Sequence, residues 1–275
     1  MFEKVIVGID GGPTGRDAAA LAELLAAPGS QLSLANIHTL TPVRGASGAY
    51  GPAETEESRE LLDAERTALG INAELLTLTA SSVGRGLHHL VHERNADLLA
   101  VGSNPRGLVG RVLMGDATRA ALVGAPCAVA IAPRGYAGAG RSIATIGVGY
   151  DGSPESEAAL TCARELATRH SATLKALTVV ETPLYAGIAR VVAGAPSEAD
   201  EIADATEELA KLDGVQGTVV VGLAGEELAS FTAGVDLLIV GARGYGPIRS
   251  LMFGTTSTHL ASNARSPLLV LPRLG

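Results

Sequence analysis

Gly241, Gly244, Gly254 and Thr255 stand at the spacing G-x2-G-x9-G-T within the segment GARGYGPIRSLMFGTTS. These are residue types that hold anions. Glycines let a ligand approach the backbone with no Cβ in the way. Thr255 and Thr256 add hydroxyl donors, and Arg243 and Arg249 add positive charge. The segment follows an apolar run, Asp236-Leu237-Leu238-Ile239-Val240, that reads as a buried strand. It precedes Ser257-Thr258-His259-Leu260-Ala261, which reads as a helix. A helix start offers free N–H groups and the positive end of the dipole, so the chemistry indicated is phosphate binding. The glycines alone fit an ordinary surface turn equally well.

The elements needed to position such a loop are legible along the chain. Lys4–Asp10 is a continuous apolar run ending in a carboxylate, as in a strand buried on both faces of a parallel sheet. Gly12-Pro13 opens a helical pattern to about Ala27, with proline suited to the first turn. A strand is expected at 32–38, a Gly/Ser/Pro-rich loop at 39–52, and an acidic-fronted helix at 54–69. A strand at 73–80 and a helix at 82–94 follow, then the strand 97–102, a loop, a short helix to about Val123 and the strand 127–132. This β-α alternation specifies an α/β fold with an open parallel sheet and helices on both faces.

The pattern then restarts. IGVGYDGSP at 146–154 echoes VIVGIDGGP at 5–13, and VDLLIVGA at 235–242 echoes ADLLAVGS at 96–103. Asp10 and Asp151 are 141 residues apart; Gly102 and Gly241, like Gly115 and Gly254, are 139 apart. A period this long is a duplicated domain rather than a solenoid. The division expected is residues 1–134, a small-residue linker at 135–142, and residues 143–275. The two fifth strands would be apolar edges, so the halves are expected to pack as an intramolecular pseudo-dimer.

With its loop between fourth strand and fourth helix, each half resembles the universal stress protein family over nearly its full length. That resemblance implies two Rossmann-like domains, each with a five-stranded parallel sheet in the order 3-2-1-4-5. It also implies an adenine nucleotide, ATP or a relative, at the carboxyl ends of strands 1 and 4, with Mg²⁺ or Mn²⁺ held through the phosphates. In the second half Asp151 matches the position near the adenosine, and Val179 the position whose backbone meets the adenine edge. Gly241, Gly244, Gly254, Thr255 and Thr256 match the ribose and phosphate loop. Asp151 also reads simply as a carboxylate near a helix start, with Ser153 as cap.

In the first half Asp10, Ile37, Gly102 and Gly115 are the weaker counterparts. There Pro105 replaces the second glycine and Asp116 replaces the Ser/Thr. Proline removes a donor and fixes φ, and a carboxylate ~4 Å from a phosphate costs several kcal/mol at an effective dielectric of ~20. That loop reads as degenerate for a triphosphate, although Gly107 and Gly110 leave a shifted loop open.

Other signals lead elsewhere and are weaker. Gly147-x-Gly149-x-x-Gly152 fits a dinucleotide fingerprint, but its first two glycines fall inside a strand and no acid follows at the required distance. His88, His89 and His92 share one helix without a convergent ligand set elsewhere, so a polar helix face is the expectation. Cys127 and Cys162 form neither a disulfide framework nor a CxxC site and read as buried small hydrophobes. A net charge of −8 and 3% aromatic residues argue against nucleic-acid partners. No run reaches the ~18 apolar residues of a membrane span, and the expectation is a cytoplasmic protein, with a homodimer left open beyond its internal pairing. No catalytic constellation is visible. The sequence therefore reads as a nucleotide-responsive stress-response binding module, with a slow ATPase or adenine-nucleotide-transferring enzyme as the alternative and a nucleotide-free scaffold as a third.

Overall fold

The computed structural model describes residues 1–39, 52–104, 106, 108–139, 142–181, 197–242 and 255–272, with backbone only at 52–54, 255 and 257. The first half runs β1 (Phe2–Gly8), α1 (Pro13–Leu25), β2 (Ala26–Thr39), α2 (Pro52–Leu69), β3 (Glu74–Ala80), α3 (Val83–Arg94), β4 (Leu98–Gly102), α4 (Asp116–Leu122) and β5 (Ala128–Ala132). The second repeats it with β6 (Thr145–Gly149), α5 (Pro154–His170), β7 (Thr173–Val180), α6 (Glu198–Ala210), β8 (Val215–Val221), α7 (Ala224–Phe231), β9 (Leu237–Gly241), α8 (Thr255–Asn263) and β10 (Leu268–Leu271).

All ten strands form one sheet in the order β3-β2-β1-β4-β5-β10-β9-β6-β7-β8. Each half is parallel within itself and has the expected order 3-2-1-4-5. The halves meet where β10 pairs antiparallel with β5, Leu268 opposite Ile131, Leu269 opposite Ala130 and Val270 opposite Val129. Each fifth strand thereby covers the edge the other would expose. The central strands are apolar on both faces, as burial under two helix layers requires. One core gathers Leu21, Leu25, Leu160 and Leu166 of α1 and α5 across the seam, and the other gathers Leu87, Leu122, Leu228 and Leu260 on the opposite face.

Local chemistry fixes the helix ends. Ser82 and Ser153 cap α3 and α5, and Ser197 with Asp200 forms a reciprocal capping box on α6. Asp97 accepts from the N–H groups of Glu3 and Lys4, and Asp236 accepts from those of Ala144 and Thr145, so an aspartate ahead of each fourth strand ties down the start of the first.

Three readings change. β2 begins at Ala26, directly after α1, and Phe2 pairs with Ala26 before the register shifts; Pro28, Gly29 and Ser30 carry no apolar alternation that would announce a strand. The linker is tethered: Asp17, buried in α1, accepts from the N–H groups of Gly135 and Ala137 at 2.8 Å, holding a 3₁₀ turn at Tyr136–Gly138. Cys127 is buried as expected, but Cys162 is only partly so.

Candidate functional site

In each half the first and fourth strands lie side by side while the helices that follow them pack on opposite faces. Open α/β sheets bind ligands at such switch points. In the first half a cavity of about 260 Å³ opens there. All four first-half candidates, Asp10, Ile37, Gly102 and Gly115, line it.

The walls of that cavity are held by specific contacts. Asn36 of β2 donates to the Ile9 carbonyl at 2.7 Å and accepts from Ser58 of α2 at 2.7 Å; Ser58 also contacts His38 Nε2. Asp10 accepts from the Gly12 N–H at 2.9 Å in the turn before α1. Ile37 lies against Gly86 of α3, where a Cβ would sit 2.9 Å from its Cδ1. At Gly102 a Cβ would fall 2.6 Å from the carbonyl carbon of Thr14. The first turn of α1 therefore rides directly on the end of β4, a close approach that only glycine permits.

Beyond β4 the first-half chain folds on itself. The Asn104 N–H donates to Leu113 O at 2.7 Å, Asn104 Oδ1 accepts from the Arg106 N–H, and Ser103 Oγ donates to Arg111 O. Gly115 precedes α4 without a side-chain cap, Asp116 occupies the first turn, and Thr118 Oγ1 donates to Gly102 O at 2.8 Å. Pro105 and Gly107 lie outside the described residues.

The second half repeats the frame. Gly241 meets α5 as Gly102 meets α1: its Cβ would fall 2.6 Å from the carbonyl carbon of Glu155. Thr178 Oγ1 donates to Tyr150 O at 2.9 Å, standing in for Asn36. Asp151 follows β6, accepting from the Ser153 N–H at 3.0 Å and contacting its hydroxyl. Val179 lies in β7 opposite Val220 of β8. The register of β6, β7 and β9 brings Asp151, Val179 and Gly241 to one rim of the sheet. Thr255 and Thr256 open α8, with Thr256 half-buried. Gly244, Gly254, Arg243 and Arg249 lie outside the described residues.

The first glycine of the loop motif is thus required by helix–strand packing. The glycines of the dinucleotide-like fingerprint have a similar basis: Gly147 faces Phe231 and Val235, and Gly149 faces Leu228 and Val240. His88 Nε2 donates to Ala121 O, joining α3 to α4. Sequence reasoning overlooked Thr14, Asn36, Asn104 and Thr118 as lining residues. The repeat offset could have exposed Asn36, which aligns with Thr178. Burial pushes the Tyr150 hydroxyl up to about 12, helped by its hydrogen bond to Glu157.

The profile of the universal stress protein family matches residues 1–133 and again 143–272. A universal stress protein of Mycobacterium tuberculosis is 26% identical over 97% of this chain and 96% of its own. A second from that species is 28% identical over 75% of each chain. Among solved structures, a universal stress protein from Archaeoglobus fulgidus superposes with a TM-score of 0.71 at 17% identity, covering 98% of both chains. A putative universal stress protein from Pseudomonas aeruginosa follows at 0.65 and 16%, covering 98% of this chain and 94% of that one; at such identities the likeness is one of fold.

Proposed function

The chain belongs to the universal stress protein family, and we propose that it is a nucleotide-responsive binding module whose second half holds an adenine nucleotide. The ligand lies at the carboxyl ends of β6 and β9. The observation that carries this reading is the shared frame: the first half has an open cavity at its switch point, and the second half rebuilds the same strand ends from Asp151, Thr178 and Gly241.

In this reading Asp151, already accepting from Ser153, takes a further hydrogen bond from the ribose or adenine side. The backbone at Val179 meets the base edge. Gly241, Gly244 and Gly254 carry the chain past the phosphates, and Thr255 and Thr256 supply donors at the start of α8. Helix α8 has nine residues and no acid in its first turn, so its dipole favours a phosphate there. Among the described residues no three His, Cys, Asp or Glu side chains gather to hold an ion. Mg²⁺ or Mn²⁺ would be held through the phosphates. Binding rather than turnover is the function proposed, in the cytoplasm; among the described residues no helix is long and apolar enough to cross a membrane.

Calorimetry with Mg-ATP tests the reading. Gly244→Val is expected to abolish binding, and Thr255→Ala to weaken it about tenfold, the ~1.5 kcal/mol of a hydrogen bond to a charged group. Unchanged affinity in Gly244→Val would refute it. Phosphate release at roughly 1 s⁻¹ or faster, lost in the same variant, would replace the binding module with an ATPase.

A further inference from the structure

The first-half cavity combines an apolar lining with carboxylates. Its inner lining is apolar, from Ile9, Ile37, Val83, Leu87 and Val101. Its polar lining includes Asp10, Asn104 and Asp116. The described lining residues include two carboxylates and no Lys, Arg or His. The volume, about 260 Å³, falls just below the ~300 Å³ at which pockets for drug-sized ligands begin, which suits one small ring-bearing molecule.

The hydroxyls that would serve a phosphate are engaged elsewhere. Thr118 donates to Gly102 O and Ser103 to Arg111 O. Asp116 occupies the first turn of α4, where a phosphate would otherwise meet the helix start. An acid in a first turn has a plain structural use, since it complements the dipole. The same negative charge opposes a phosphate brought to that turn. What the rim retains is acceptor capacity, and the natural complement of carboxylates beside an apolar slot is a ring bearing hydroxyl and amino donors.

We propose that the first half binds an unphosphorylated nucleoside and rejects its phosphate esters, so that one chain carries a nucleoside site and a nucleotide site. The nucleoside class rests on the reading of the second half as an adenine site; the exclusion of phosphate rests on Asp116, which stands where the second half has Thr255.

Methyl NMR on the full chain tests this, with adenosine, AMP and Mg-ATP as probes in the wild type and in Gly244→Val. Adenosine is expected to shift the methyls of Ile9, Ile37 and Val101 saturably in both proteins. AMP and Mg-ATP should act on those methyls at least ~100-fold more weakly. Asp116→Asn should raise the AMP-to-adenosine affinity ratio there by about tenfold or more, its methyl spectrum reporting that it is folded. Adenosine leaving these methyls unmoved, AMP matching it in the wild type, or an unchanged ratio in Asp116→Asn would each overturn the proposal. Loss of Mg-ATP binding in Gly244→Val alongside unmoved first-half methyls would defeat this inference alone. Mg-ATP binding that survives Gly244→Val would defeat the second-half reading, while adenosine shifts at Ile9, Ile37 and Val101 would still uphold a nucleoside site.

Discussion

The two halves of this chain have matching frames and different rims. Gly102 and Gly241 each accept the first turn of a helix against the fourth strand. Asp97 and Asp236 each clamp the start of the first strand. Ser103 N–H reaches Ala132 O and Ala242 N–H reaches Leu271 O, both at 3.0 Å. Where residues differ within the frame, the bond persists: Asn36 and Thr178 hold the equivalent carbonyls of Ile9 and Tyr150. The rims diverge in charge, Asp116 against Thr255 and Pro105 against Gly244. The frame is set by backbone contacts that few residue types satisfy, whereas the rim residues differ between the halves.

The largest effect should come from the frame and should be the same in both halves. Gly102→Val and Gly241→Val each force side-chain atoms into helix backbone, which cannot yield as a side-chain tip does. Each is expected to cost about 3 kcal/mol or more in urea unfolding. A cost below ~1 kcal/mol at either position would break the parallel.

Next comes the contrast between rims. Titration with Mg-ATP should saturate near one nucleotide per chain, with a gap between halves of about 100-fold, or ~2.8 kcal/mol. Pro105→Gly with Asp116→Ser should narrow it. Two equivalent ATP sites in the wild type would erase the distinction.

A smaller test compares the two carbonyl clamps. Thr178→Ala removes one donor and should lower stability by ~1 kcal/mol. Asn36→Ala also strips Ser58 of its acceptor and should cost more, ~2 kcal/mol. Equal thermal losses would show that Ser58 repairs its own bonding.

The least effect concerns one cysteine in each half. Burial pushes the Cys127 thiol up to about 12, with Asp97 adding to it, and the Cys162 thiol up to about 11, with Glu165 adding to it. Both should alkylate slowly at pH 8, Cys162 before Cys127. Because the unfolded chain loses these protons near pH 8.5–9 and the folded chain keeps them, stability should fall between about pH 9 and the folded values. Cys127→Ala should flatten that decline; an unchanged slope would remove Cys127 as its source.

Most of the fold was legible because strands buried on both faces are written as unbroken apolar runs, and because the repeat offset lets one half check the other. The pairing of the fifth strands followed from two apolar edges needing cover. What stayed hidden depends on contacts between distant positions. Nothing near Asp17 in the sequence announces that it holds Gly135 and Ala137, and the start of β2 at Ala26 rests on pairing with β1 rather than on local pattern. At the site, spacing identified Gly102 and Gly241 but not the packing that requires glycine there. Their partners, the carbonyls of Thr14 and Glu155, appear only once α1 and α5 are packed.

The antiparallel seam between β5 and β10 has a directional consequence. Within each half the strands run the same way, so the carboxyl ends gather on one rim; across the seam the direction reverses. The carboxyl-end rims of the two halves therefore face opposite poles of a single sheet. A ligand held at one rim would be out of reach of a ligand held at the other, with no metal ion to share and no group to exchange. Helix α8 touches both poles: it starts at Thr255 on one, and near its far end the Ala264 carbonyl accepts from the Val112 N–H of the other half's loop. The molecule has two faces, with one short rod running between them.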